Sequence, residues 1–246
     1  MSTRKNRLQD THFRESEFGV ECGFIRQLLR PQYVVVNHVT KIDHPLVDHH
    51  LCTVRDKDTS PREFRLAIHR LAMLLAVEST RDLPTSDITI RTPLADAACK
   101  TMSVEVGIVP ILRAGLGMVN PLLELLPDAA VWHLGLYRNE ETAEPVGYYD
   151  KLPSKNAPNI ALVVDPMLAT GGSVDLVIRR LMKWGVNEIR VLSVIASQAG
   201  IDRVASDFPD VKIYVAAIDP ELNDQSFIVP GLGDAGDRIF DTPQHD

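Results

Sequence analysis

The hydrophobic pattern of this chain alternates between short unbroken apolar runs and apolar stripes at helical spacing. Ile160 to Val164 is one such run, the length of a strand covered on both faces. It ends on a carboxylate, Asp165. A short turn leads to Thr170-Gly171-Gly172-Ser173, and from there to Gly185 the spacing predicts an amphipathic helix. Ser60-Pro61-Arg62-Glu63 predicts another helix start, with Ser as N-cap, Pro in the first position and Glu in the third. Phe64, Ile68, Leu71 and Leu75 then form an apolar stripe for the core. VEVGIVPIL predicts a strand that ends at Arg113, GLGMVNPLLELL a short helix with Pro121 in an early turn, and AVWHLGLYR a strand that ends at Arg138. IRVLSVIA and VKIYVAAI predict two further strands around a helical stretch from about Gly200 to Phe208. Strands alternating with helices predict an α/β fold, a mostly parallel sheet covered on both faces.

The first 40 residues do not follow this pattern. FIRQLLR offers one or two helical turns and QYVVVNHV a short strand. The stretch reads as an N-terminal extension: a disordered segment, an added arm and an upstream start all fit it, and it carries no visible chemistry. The domain that does carry chemistry is expected over residues 41–246.

Ligands of open parallel sheets gather outside the strand C-terminal ends, and the special residues fall there. Small residues at a helix N-terminus present backbone N–H groups to a phosphate, and glycine permits the close approach. Thr170 and Ser173 add hydroxyl donors. With a phosphate on the TGGS turn, Asp165 stands where the attached ribose would lie. The order of strand, acid, small-residue loop and helix therefore describes a ribose-phosphate cradle. Arg113 and Arg138 end two more strands, and their forked donors suit a diphosphate. Neither a GxxxxGK[ST] string nor a GxGxxG fingerprint occurs in the chain.

Composition narrows the class without naming it. Over 246 residues, hydrophobic content is 45%, charged content 24% and net charge −7, ordinary globular values that argue against a nucleic-acid partner. Cys22, Cys52 and Cys99 are far apart and form no CxxC, so neither a disulfide framework nor a zinc site is expected. No apolar run is long enough to cross a membrane. The basic start MSTRKNR lacks the apolar stretch of a signal peptide. A cytoplasmic location is the expectation.

The segment VVDPMLATGGS resembles the phosphoribosyl-diphosphate (PRPP) loop of the type I phosphoribosyltransferases, and more narrowly that of the uracil phosphoribosyltransferase family. VPILRAGLG, YRNEETAEPV and FIVPGLGDAGDRIF match in the same order, and the resemblance runs from about Lys41 to the C-terminus. Most of the superfamily carries acids where this chain has Pro166 and Ala169, and that departure is itself the uracil-enzyme pattern. The resemblance implies the type I phosphoribosyltransferase fold with a uracil-binding hood near the C-terminus, and the reaction of uracil with PRPP to give UMP and diphosphate. It implies a PRPP site at Arg113, Arg138, Asp165, Pro166, Met167, Leu168, Ala169, Thr170, Gly171, Gly172, Ser173 and Asp234. It implies a uracil site at Ile228, Gly233, Asp234 and Ala235, with Arg113, Arg138 and Asp234 nearest the chemistry. Mg2+ enters as Mg-PRPP, with no dedicated protein metal site. GTP activation is known in parts of the family, but no motif reports a GTP site. A homo-oligomer, a dimer or larger, is expected, and the acidic segment 139–150 is expected to be mobile without ligand.

Two other classes share parts of the pattern. A PRPP-binding regulatory protein would lack the complete uracil loop and tend to show a basic face. A purine phosphoribosyltransferase usually keeps an acid where Ala169 stands.

Overall fold

The apolar runs become neighbouring strands of one sheet. The computed structural model describes residues 35–36, 38–138, 145–150, 152–153 and 155–242. Strand β9 (Ile160–Val164) is buried at every position. On one side it pairs in parallel with β5 (Val106–Leu112), and on the other with β11 (Glu188–Ser197). Next to β11 lies β12 (Lys212–Asp219), also parallel, and then β2 (Val39–Lys41). Beyond β5 lies β7 (Leu134–Arg138). Antiparallel strands flank this array, β1 (Val35–Val36) on β2 and β8 (Pro145–Asp150) on β7. The mostly parallel sheet expected from the sequence is present.

Alternation along the central strands divides the core in two. Ile108, Leu162 and Leu192 face α2 (Pro61–Ser79), whose Phe64, Ile68, Leu71 and Leu75 are fully buried as their spacing predicts. Val109, Val163 and Val191 face α4 (Gly172–Trp184) and α5 (Gln198–Asp207). Ser60 caps α2 by accepting from the Glu63 N–H, and Ser60 Oγ donates to Glu63 Oε2 at 2.9 Å. That reciprocal pairing satisfies part of the helix end.

Four details differ from the sequence reading. GLGMVNPLLELL opens as a 3₁₀ turn over Ala114–Met118, and only Val119–Leu125 forms α3. Pro121 is the third residue of α3, where its missing N–H costs no helical bond. AVWHLGLYR is not one strand, since β6 (Ala130–Val131) stops at Trp132 before β7 begins. Helix α1 (Pro45–Arg55) and the hairpin of β3 (Thr85–Arg91) with β4 (Asp96–Met102) were not foreseen. Every residue of β3 is exposed, and its one-sided apolar pattern is only Ile88 and Ile90, too short to mark a strand. FIRQLLR lies outside the described residues.

Candidate active site at the strand C-terminal ends

Because β5, β7, β9, β11 and β12 run parallel, their C-terminal ends share one edge. That edge carries Arg113, Arg138, Asp165, Ser197 and Asp219. Three small elements complete it: β10 (Met167–Leu168), the pair β13 (Glu221–Leu222) with β14 (Ile228–Val229), and α6 (Ala235–Phe240). A cleft of about 550 Å³ lies there. Asp165, Met167–Val174 and Asp234 line it together with Gln225–Ile228.

The cradle loop is built to show N–H groups to this cleft. Gly171 sits at the N-cap of α4 with φ +78°, and no side chain caps the helix. Gly172, Ser173 and Val174 follow in the first turn, where a helix supplies no acceptor for its own N–H groups. The loop carbonyls are engaged elsewhere. Ala169 O accepts from Ser197 Oγ at 2.6 Å, Thr170 O from Arg203 Nη1 at 3.5 Å and Gly171 O from Asp175 N at 2.8 Å. Gly200 makes this packing possible, since a Cβ there would lie 2.2 Å from Ala169 O. Helix α5 is thus the back wall of the loop.

Asp165 is half-buried and accepts from Met167 N at 3.2 Å. Its carboxyl is pushed up to about 7, chiefly by burial and further by the nearby Asp234 charge, with the Met167 N–H holding it back. Such a carboxyl favours neighbours that bring positive charge or hydroxyl donors. Among the described residues, no cluster of three or more His, Cys, Asp or Glu comes together as a metal site. The hard oxygens of Asp165 and Asp234 nevertheless fit a magnesium ion that arrives with its own phosphate ligands.

The remaining expected residues divide. Ile228 and Asp234 line the cleft, and Asp234 also caps α6 by accepting from Asp237 N at 2.9 Å. Ala235 is fully buried, and Gly233 lines a separate groove with Arg55 and Arg238, so neither lines the cleft. Pro166 is buried and does not line it either; its carbonyl accepts from Ile195 N at 3.0 Å. Met167 and Leu168 line the cleft although Leu168 is 1% exposed. Arg113 stands at the edge and donates from Nη2 to Asp237 Oδ1 at 2.9 Å. Asp237 also accepts from Thr242 Oγ1 at 2.6 Å. Arg138 ends β7 where expected, but its side chain and residues 139–144 lie outside the described residues.

Sequence reasoning missed Asp237 and Asp219. The spacing of Asp234 and Asp237 is that of an N-cap and its third helical residue, and VAAID ends a strand on a carboxylate just as LVVD does. Both signals were present. Arg55 had none.

A parallel sheet with a strand-end acid, an uncapped glycine helix start and a C-terminal hood over one cleft defines a type I phosphoribosyltransferase. Residues 41–242 match the family described as uracil phosphoribosyltransferase, and the chain belongs to that family. Curated uracil phosphoribosyltransferases of Symbiobacterium thermophilum and Clostridium perfringens (strain 13 / Type A) are 50% and 52% identical to it over 208 residues, 84% of this chain and 100% of theirs. The solved structure of the AQ2163 protein from Aquifex aeolicus is similar at 35% identity and a TM-score of 0.79, covering 84% of this chain and all of that one.

Proposed function

We propose that this protein transfers the phosphoribosyl group of PRPP to uracil, releasing UMP and diphosphate. One observation carries the reading: the N-terminus of α4 and the loop through Ile228 and Asp234 line a single cleft. A ribose phosphate held by the first is presented to a base held by the second. In this reading the 5′-phosphate takes the N–H groups of Gly172 and Ser173 and the hydroxyls of Thr170 and Ser173. Asp165 accepts from the ribose hydroxyls. The backbone at Ile228 and Asp234, the two residues of this segment that line the cleft, is offered to the alternating N–H and C=O edge of uracil. Cytosine would leave a buried group unpaired and be rejected.

Bond formation between C1 and uracil N1 accompanies loss of diphosphate from C1, and the N1 proton passes to water or the departing diphosphate. The site contributes mainly position and charge stabilisation. Asp237 takes one arm of the Arg113 fork and aims the guanidinium, and Arg138 joins it on the diphosphate. Magnesium, held with PRPP beside Asp165 and Asp234, would neutralise charge on the leaving group. The reaction belongs to residues 41–246.

Diphosphate release from PRPP with uracil, with hypoxanthine and with no base tests the reading. Release with uracil alone is expected. Release with hypoxanthine would make it a purine enzyme, and PRPP binding without release a regulatory protein. Activation by GTP rests on the family resemblance alone, and adding GTP to the same assay checks it. The same reading includes a homo-oligomer. The β3–β4 hairpin supports it, because Ile88, Ile90, Leu94 and Met102 are exposed on it and a two-stranded hairpin is marginal in water by itself. Ile90→Asp should lower the sedimenting mass. The unpaired cysteines Cys52 and Cys99 suit a cytoplasmic location.

A further inference from the structure

The turn behind the base-binding loop is held by a charged pair that no part of the reaction uses. Arg55 ends α1 and Asp219 ends β12. Their side chains meet as a fork, with Arg55 Nη1 to Asp219 Oδ2 at 2.8 Å and Nη2 to Oδ1 at 2.7 Å. Both groups then grip Gly231. Its N–H donates to Asp219 Oδ2 at 3.0 Å, and its carbonyl accepts from Arg55 Nη1 at 2.9 Å. Asp219 is 6% exposed at its side chain and Arg55 27%, so the pair is well shielded and its hydrogen bonds are of the stronger kind.

Gly231 is one turn from the cleft. Its φ is +62°, and a Cβ on it would lie 2.0 Å from Ile228 O. The chain therefore folds back tightly on Ile228, which lines the cleft. Leu232 O is fixed from the same side by Arg238 Nη1 at 2.8 Å, and Arg238 also holds the carbonyls of Val54 and Asp56. The C-terminal end of α1 is thus an anchor for the whole turn. The clamp is not what holds β12 in the sheet, because backbone pairing to β11 and β2 does that.

We propose that Arg55 and Asp219 are positioning residues that fix the base-binding loop and so set affinity and selectivity for the pyrimidine. The assignment to uracil rests on the function proposed above. Backbone donors and acceptors discriminate between bases only when they cannot move to suit the wrong one. A loop free at Gly231 would accommodate cytosine by shifting Ile228.

The test uses Arg55→Lys, which keeps the charge and loses the fork, and Asp219→Asn, which keeps the shape and loses the charge. In each, KM for uracil should rise about ten- to a hundredfold, the loss of charge-assisted hydrogen bonds, while KM for PRPP and kcat stay at the wild-type values. The preference for uracil over cytosine should fall, and the Gly231 amide should lose its protection from hydrogen exchange. An unchanged KM for uracil, an equal rise for both substrates, or failure of both variants to fold overturns the proposal. Wild-type protein that does not turn over uracil would instead overturn the functional reading. The exchange of the Gly231 amide still judges the clamp in that case.

Discussion

The Ser197 hydroxyl and the Ala169 carbonyl are joined across 2.6 Å, which turns the cradle loop's carbonyl toward α5 and away from the cleft. The same Oγ accepts from Gly200 N at 2.9 Å, so Ser197 both caps α5 and holds the Ala169 end of the 169–173 loop. Ser197→Ala leaves a carbonyl and an N–H without their partner, a cost of about 1–3 kcal/mol for a buried group. Part of that should appear as a rise in KM for PRPP, with KM for uracil unchanged. Ser197→Thr, which restores the hydroxyl, should recover most of the loss in steady-state kinetics.

Asp165 links activity and stability to pH with opposite signs. Its folded pKa of about 7 lies above the ordinary 3.8. Only the ionised form accepts from two ribose hydroxyls, so kcat/KM for PRPP should rise with pH through about 7 and then level. Asp165→Asn should lose that limb and use PRPP poorly. Between pH 3.8 and about 7 the folded state holds a proton the unfolded chain has released, so this group's contribution to stability falls as pH rises across that window. Asp165→Asn should therefore gain in Tm relative to wild type between pH 5 and pH 8, measured by calorimetry. A Tm difference that does not change with pH would contradict the raised pKa.

Asp234 has a structural duty at the N-cap of α6, where it accepts from Asp237 N. Asp234→Asn keeps an acceptor there. If Asp234 only orders the loop and PRPP, turnover of uracil and of 5-fluorouracil, whose N1 is more acidic, should fall together. A loss confined to uracil would identify Asp234 as the base.

Arg190 provides the contrast, far from the cleft. It is 1% exposed near the start of β11 and bonds Asp82 Oδ1, Glu188 Oε1 and the Ser79 carbonyl. Lys212 joins the same two acids at 2.8 Å each. Arg190→Leu removes the buried member of a network whose acids reach solvent and keep Lys212, and should destabilise by about 1–3 kcal/mol through the buried Ser79 carbonyl that loses its donor. The KM values of the folded fraction should not change, since the network sits at the end of the sheet opposite the ligand edge.

The sequence alone determined the sheet, the family and the order of strand, acid, glycine loop and helix. Buried parallel strands must be apolar throughout, and helices facing them must carry stripes, so Ile160–Val164 and Phe64–Leu75 were legible without any contact being known. The loop from Asp165 to Ser173 was legible because its acid, glycines and hydroxyls lie within consecutive residues. Only the tertiary structure decided what joins distant segments. Ser197 meets Ala169, Arg113 meets Asp237, and Arg55 meets Asp219 and Gly231 through side-chain contacts that leave no period in the sequence. It also separated the expected uracil residues, placing Ile228 and Asp234 on the cleft while Ala235 went into the core and Gly233 to the groove behind. A short glycine-rich loop has no periodicity to say which way each residue faces; its bonds to the end of α1 and to Asp219 of β12 set that direction.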